Sequence, residues 1–200
     1  MRSALILAGG RGRRMGFREK ALLPVGNRTI LEKTIEVLET VVDEVIVSVR
    51  DQIQQETLRG YTQDLDVVLD NYHDVGPLAG ILEGMKAAGG EYVFISACDM
   101  PYLDTRVVQL LFDRAQGHDA AIPVWENEVL EPLHAVYRAS PMAVETEKAI
   151  LRNDKIALAP IFKLKDVVFV AMEEIQDIDP DLRTFMNINT MEDIGKIEDE

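Results

Sequence analysis

The stretch Ala4-Leu5-Ile6-Leu7-Ala8-Gly9-Gly10-Arg11-Gly12-Arg13-Arg14-Met15-Gly16-Phe17-Arg18-Glu19-Lys20 joins a short apolar run directly to a loop rich in glycine and arginine. An apolar segment of this length, stopped by Gly-Gly, reads as a strand buried on both faces. Val45-Ile46-Val47-Ser48-Val49, Val67-Val68-Leu69 and Tyr92-Val93-Phe94-Ile95-Ser96 read the same way. Between them run stretches of helical period. Ile30, Leu31, Thr34, Ile35 and Leu38 form one stripe, and Leu78, Leu82 and Met85 form another that Gly89-Gly90 should end. Further helices are expected over 104–115, with Asp104 as N-cap, and over 141–151, with Pro141 in the first turn. Strands are expected over 120–124, 133–138 and 167–171. Strands alternating with helices predict an α/β fold with a mostly parallel sheet and helical crossovers. No linker, low-complexity tract or internal repeat interrupts the chain, so residues 1–200 are expected to form one domain ending in a frayed tail, Glu198-Asp199-Glu200.

The charge balance narrows the partners. The 200 residues carry 21 Lys and Arg against 35 Asp and Glu, a net −14 at pH 7. This argues against binding nucleic-acid backbone or an anionic membrane, since both need a basic face. The longest apolar run, Val167 to Met172, is far short of a membrane span, and Met1-Arg2-Ser3 enters the first strand without a signal-peptide pattern. The lone Cys98 excludes an internal disulfide and suits a reducing compartment. A soluble, cytoplasmic protein is expected.

In an open parallel sheet, ligands bind outside the carboxyl ends of the strands, near the point where strand order reverses. The loop at 7–20 holds four glycines and five basic residues within fourteen positions of an acidic chain. Glycines let backbone N–H groups approach an anion, and Arg and Lys supply charge where phosphates would lie. It is not a Walker loop, and it lacks the compact Gly-x-Gly-x-x-Gly turn. The bland alternative is a surface loop of solvated arginines. Cys98-Asp99-Met100-Pro101 follows the fourth strand, where Asp99 could hold a divalent cation against a polyphosphate or simply close an Asx-turn. Asp70 ends its strand as Asp99 does and could read a base or assist a metal. His73 and His134 read as ordinary loop and strand histidines, and Cys98 as a small buried residue. Late in the chain, Asn187 and Asn189 fall on one face of an expected short strand, followed by Thr190 as cap of a terminal helix. These asparagines could contact ligand or metal, or merely support turns.

Taken together, Leu-Ala-Gly-Gly-x-x-x-Arg-Met-Gly-x-x-x-Lys at 7–20, Gly-Pro-Leu-Ala-Gly at 76–80, Cys-Asp-Met-Pro-Tyr-Leu at 98–103 and Asn-Ile-Asn-Thr at 187–190 resemble the molybdenum cofactor guanylyltransferase family. The match runs in order over nearly the whole chain. It implies a three-layer, Rossmann-like fold of nucleotidyltransferase type. It also implies a reaction in which GTP and molybdenum-bound molybdopterin give the guanine dinucleotide cofactor and pyrophosphate, with Mg2+. By the resemblance, Leu7, Ala8 and Gly9 meet the guanine nucleotide, with Gly10, Arg11, Ser48, Asp70 and Gly80 also in its site. Lys20 binds phosphates, Asp99 holds magnesium, Arg14 joins Lys20 and Asp99 in catalysis, and Asn187 and Asn189 lie near substrate or metal. Well-known bacterial members carry asparagine at the position of Ser48. Related cytidylyl enzymes tend to begin Leu-Ala-Ala-Gly, so Gly9 favours guanine. The acceptor ends in a phosphate monoester with a second pKa of about 6, already anionic near neutrality, so no general base is needed. Rival readings are a cytidylyl- or guanylyltransferase acting on another phosphorylated acceptor, and a GTP-binding module without catalysis. Homo-oligomerisation and pterin-delivery proteins are left open.

Overall fold

A computed structural model of the protein describes residues 1–10 and 19–188. The described chain opens with β1 (Arg2–Leu7), a short hairpin of β2 (Pro24–Val25) and β3 (Arg28–Thr29), then α1 (Ile30–Glu39) and β4 (Glu44–Val49). Next come α2 (Gln52–Thr62), β5 (Asp66–Leu69), α3 (Leu78–Ala87), β6 (Tyr92–Ala97) and α4 (Thr105–Ala115). The second half holds β7 (Ala120–Val124), β8 (His134–Arg138), α5 (Ala139–Leu151), α6 (Leu158–Ile161), β9 (Val167–Ala171) and α7 (Met172–Gln176). One sheet takes seven of these strands in the order β5-β4-β1-β6-β8-β7-β9, and among them β8 alone runs against the rest. The expected mostly parallel α/β architecture is therefore observed.

Alternate residues of the strands go to opposite helical layers. Ala4, Ile6, Val45, Val47 and Phe94 pack with Leu31, Leu38, Leu58 and Leu111 of α1, α2 and α4. Leu5, Ile46, Val93 and Ile95 pack with Ile81, Met85 and Met142 of α3 and α5. Three layers result. The stripe read for α1 is the one buried, and Thr29 caps that helix in a capping box with Glu32, whose side chain accepts from the Thr29 N–H at 2.7 Å. Asp104 caps α4 as expected, accepting from the Arg106 N–H at 2.8 Å. Among the described residues no helix is long and apolar enough to cross a membrane.

Four expectations need correction. The run at 67–69 is an edge strand, half-buried rather than apolar-covered on both faces, because only β4 flanks it. The expected strand at 133–138 begins at His134, and the expected helix at 141–151 begins at Ala139. No strand forms at Asn187: Arg183–Phe185 is a 3-10 turn, and the Ile188 N–H donates to the backbone oxygen of Asp99 at 2.8 Å instead of to a neighbouring strand. Asn189, Thr190 and the expected terminal helix lie outside the described residues. Two elements carried no apolar signal in the sequence. The hairpin β2–β3 is only a few residues long, and α2 buries Gln54, Leu58 and Thr62 while Ile53 faces solvent, which leaves no apolar period to read.

Candidate functional site

β1 pairs with β4 on one side and β6 on the other, so Leu7 lies beside Ser48 and Ala97. The chain moves outward from β1 to β4 and β5, then returns to β6 on the opposite flank. That reversal is the switch point, where the loops leaving β1 and β6 separate and open a crevice. A cleft of about 700 Å³ lies there, lined by Leu7, Gly9, Gly10, Lys20, Ser48, Asp70, Gly80 and Asp99 among others.

One end of the cleft is a carboxylate cradle. The Ser48 hydroxyl, buried at the end of β4, donates to Asp70 Oδ1 at 2.7 Å. Asp70 itself continues the strand pairing, its N–H donating to the Val49 carbonyl at 2.9 Å. Burial pushes the Asp70 carboxyl above its usual range, and the Ser48 hydrogen bond works against that shift. Two glycines make room for it. A Cβ on Gly80 would lie 2.3 Å from Ser48 Oγ and 3.1 Å from Asp70 Oδ1, and a Cβ on Gly9 would lie 2.9 Å from Asp70 Oδ2. Only a residue without a side chain fits at these two points of close approach.

The other end carries opposite charges. Lys20 Nζ meets Asp99 Oδ2 at 2.9 Å, with both side chains about one-fifth exposed. Seventy-nine positions separate them in sequence, and β1 and β6 bring them together. Cys98, beside Asp99, is buried, and desolvation followed by the Asp99 charge pushes its thiol up to about 12, so it is no nucleophile. Behind this loop sits His134, fully buried, with Nδ1 at 3.3 Å from Met100 Sδ, Nε2 at 3.2 Å from Thr184 Oγ1, and Phe94 edge-on at 5.1 Å. Burial lowers its pKa to about 3, which keeps the ring neutral. Of the core and surface places open to a strand histidine, it takes the core.

Two candidate residues fall elsewhere. The Ala8 side chain is buried in the core, and its N–H and carbonyl are engaged by the Ser48 carbonyl at 2.9 Å and Gln54 Nε2 at 2.8 Å, so it backs the cleft wall rather than lining it. Asn187 is exposed and its amide donates to the Phe185 carbonyl at 3.4 Å, a local turn contact. His73 lines the cleft, although the sequence reads it as an ordinary loop residue. Arg11, Arg14 and Asn189 lie outside the described residues. The sequence reading missed Arg50, Asp51 and Tyr72, which also line the cleft. A charged pair placed directly after β4, at the carboxyl edge, was the signal for the first two.

A glycine-lined cleft at the switch point of a parallel sheet, with a lysine and two strand-end carboxylates on its walls, defines a nucleotide-binding α/β protein. Residues 4–157 match the MobA-like NTP transferase domain, and the chain belongs to that family. It is 51% identical over 198 residues to a Methanosarcina mazei protein named "probable molybdenum cofactor guanylyltransferase", covering 96% of this chain and 88% of that one. A Methanosarcina acetivorans protein of the same name is 51% identical over 211 residues, covering 98% and 93%. The crystal structure of molybdopterin-guanine dinucleotide biosynthesis protein A from Archaeoglobus fulgidus superposes with a TM-score of 0.84 at 31% identity, covering all of this chain and 97% of that one.

Proposed function

We propose that the chain, acting as one nucleotidyltransferase domain, transfers GMP from GTP to the terminal phosphate of molybdenum-bound molybdopterin and releases pyrophosphate. The observation that carries this reading is the polarity of the cleft, with a carboxylate cradle at one end and Lys20–Asp99 at the other. An ionised carboxylate only accepts hydrogen bonds. Guanine offers it two adjacent donors, N1–H and the 2-amino group, whereas cytosine offers one donor beside an acceptor. Asp70, with Ser48 fixing one of its oxygens, suits guanine. A guanine seated there directs the triphosphate along Gly9 and Gly10 toward Lys20.

The acceptor's monoester oxygen attacks the α-phosphorus of GTP as the bond to the β-phosphate oxygen breaks, and pyrophosphate leaves with the electron pair. The attacking oxygen is already anionic, so the reaction asks no general base of the cleft. The protein's work is to align two anions and offset their charge. Lys20 supplies a fixed cation, and Arg11 and Arg14 are proposed to join it. Among the described residues no cluster of three or more His, Cys, Asp or Glu is placed to hold a metal. Magnesium needs only one or two carboxylates beside substrate phosphates, and Asp99 fits that requirement. When bound, the ion would neutralise charge on the phosphates. Calorimetric titration with the four nucleoside triphosphates tests the assignment. GTP should bind tightest, and tighter binding of CTP would move the protein to the cytidylyl enzymes.

A further inference from the structure

We infer that Gln54 is a positioning residue for Lys20: its side-chain amide ties Ala8, at the end of β1, to Glu19 and thereby sets Lys20. This rests on the reading of Lys20 as a contact to the triphosphate. Gln54 is completely buried in the first turn of α2. Its Nε2 donates to the Ala8 carbonyl at 2.8 Å, immediately before Gly9, and to Glu19 Oε2 at 2.7 Å, immediately before Lys20. Its Oε1 accepts from the Arg50 N–H at 2.9 Å. Asp51 caps α2 by accepting from the Gln54 N–H at 2.8 Å, which holds the residue in place. Every hydrogen-bonding direction of the amide that faces the site is therefore used.

The chemistry demands this residue type. One nitrogen must donate to both a carbonyl and a carboxylate while the neighbouring oxygen accepts an amide N–H, and only a carboxamide does this. Arg50 reinforces the same junction. Its guanidinium forms a two-pronged ion pair with Glu19 and reaches the Gly10 carbonyl at 3.5 Å. Glu19 in turn starts the 3-10 turn that carries Lys20, since its carbonyl accepts from the Leu22 N–H at 3.0 Å and that of Lys20 from the Leu23 N–H at 3.1 Å. The path thus runs from Gln54 through Glu19 to the direction in which Lys20 meets Asp99.

The test uses Gln54→Met, which keeps length and removes both donors and the acceptor, and Glu19→Gln, which alters the same junction at a less buried position. Two readouts separate this inference from the functional one. Without ligand, hydrogen exchange of the Leu22 and Leu23 amides should quicken at least tenfold in both variants while β6 amides keep their protection. With ligand, Kd for GTP should rise at least tenfold while Kd for guanosine stays within twofold. Unchanged exchange at Leu22 and Leu23 in a folded variant overturns the inference, as does an equal loss of protection in β6. Wild-type protein that fails to bind GTP refutes the functional reading, and the exchange result still decides the role of Gln54. If Gln54→Met does not fold, Glu19→Gln alone carries the test.

Discussion

Adding one methyl group at position 80 probes the carboxylate cradle directly. Gly80 is the third residue of α3 and buried, so Gly80→Ala gains at most about 1 kcal/mol of helix propensity. The new Cβ would sit 2.3 Å from Ser48 Oγ, far inside contact distance, and 3.0 Å from Leu7 Cδ2. The hydroxyl must turn away, which breaks its 2.7 Å hydrogen bond to Asp70. A hydrogen bond to a charged group contributes roughly 1.5–3 kcal/mol, so the net loss of stability should be about 0.5–2 kcal/mol. Asp70 then loses the larger of the two contributions that oppose its desolvation, the other being His73, and its pKa climbs further. Urea unfolding should report the stability loss, and calorimetry should report at least tenfold weaker GTP binding. Repeating Gly80→Ala in a Ser48→Ala background removes the atom that is struck, so the added methyl should there be close to neutral. The two sites should couple by on the order of 1–2 kcal/mol. Equal costs in both backgrounds, or unchanged GTP affinity in Gly80→Ala, would refute the cradle.

In the proposed site Lys20, which pairs with Asp99, also holds phosphate; Lys20→Ala would remove a charge-assisted contact of about 1.5–3 kcal/mol, so GTP affinity measured by calorimetry should fall tenfold or more in a folded protein. Asp99→Asn keeps shape but loses charge; transfer at limiting magnesium should fall far more than GTP affinity, and near-normal pyrophosphate release would leave Asp99 as the residue of an Asx-turn. The fold holds His134 neutral with a pKa near 3, while the unfolded chain protonates it at its ordinary 6.5. The unfolded state therefore binds more protons between those values. This contribution is present in full above pH 6.5 and declines by up to about 1.4 kcal/mol per unit as pH falls. Urea unfolding at pH 7.5 and 5.0 should show a shallower pH dependence for His134→Phe than for wild type, and identical slopes would contradict the assignment. Cys98, with its thiol near 12, should resist a disulfide reagent at pH 8 until urea is added.

Much of the fold was legible because apolar period reports burial. The stripe of α1 and the runs of β1, β4 and β6 announce themselves that way, and glycine with arginine after β1 marks the switch-point loop. The same logic explains the failures. A helix whose buried face is Gln54, Leu58 and Thr62 gives no apolar signal, and a buried glutamine is recognisable only through partners 46 and 35 positions away. The strand expected at Asn187 rests on alternation, but alternation makes a strand only where another strand stands alongside, and here the Asp99 loop does. Ala8 shares the Leu-Ala-Gly-Gly motif with its neighbours, yet the pleat turns it into the core. Residue identity alone does not separate Leu7, which lines the cleft, from Ala8, which supports it from behind.

The central claim is transfer to a pterin phosphate, and pyrophosphate release measures it most directly. Purified protein, GTP, magnesium and molybdenum-bound molybdopterin should yield pyrophosphate and guanine dinucleotide in equal amounts. Release should require the pterin, and CTP in place of GTP should support little of it. GTP that binds without pterin-dependent pyrophosphate release, or release faster with CTP, would contradict the account.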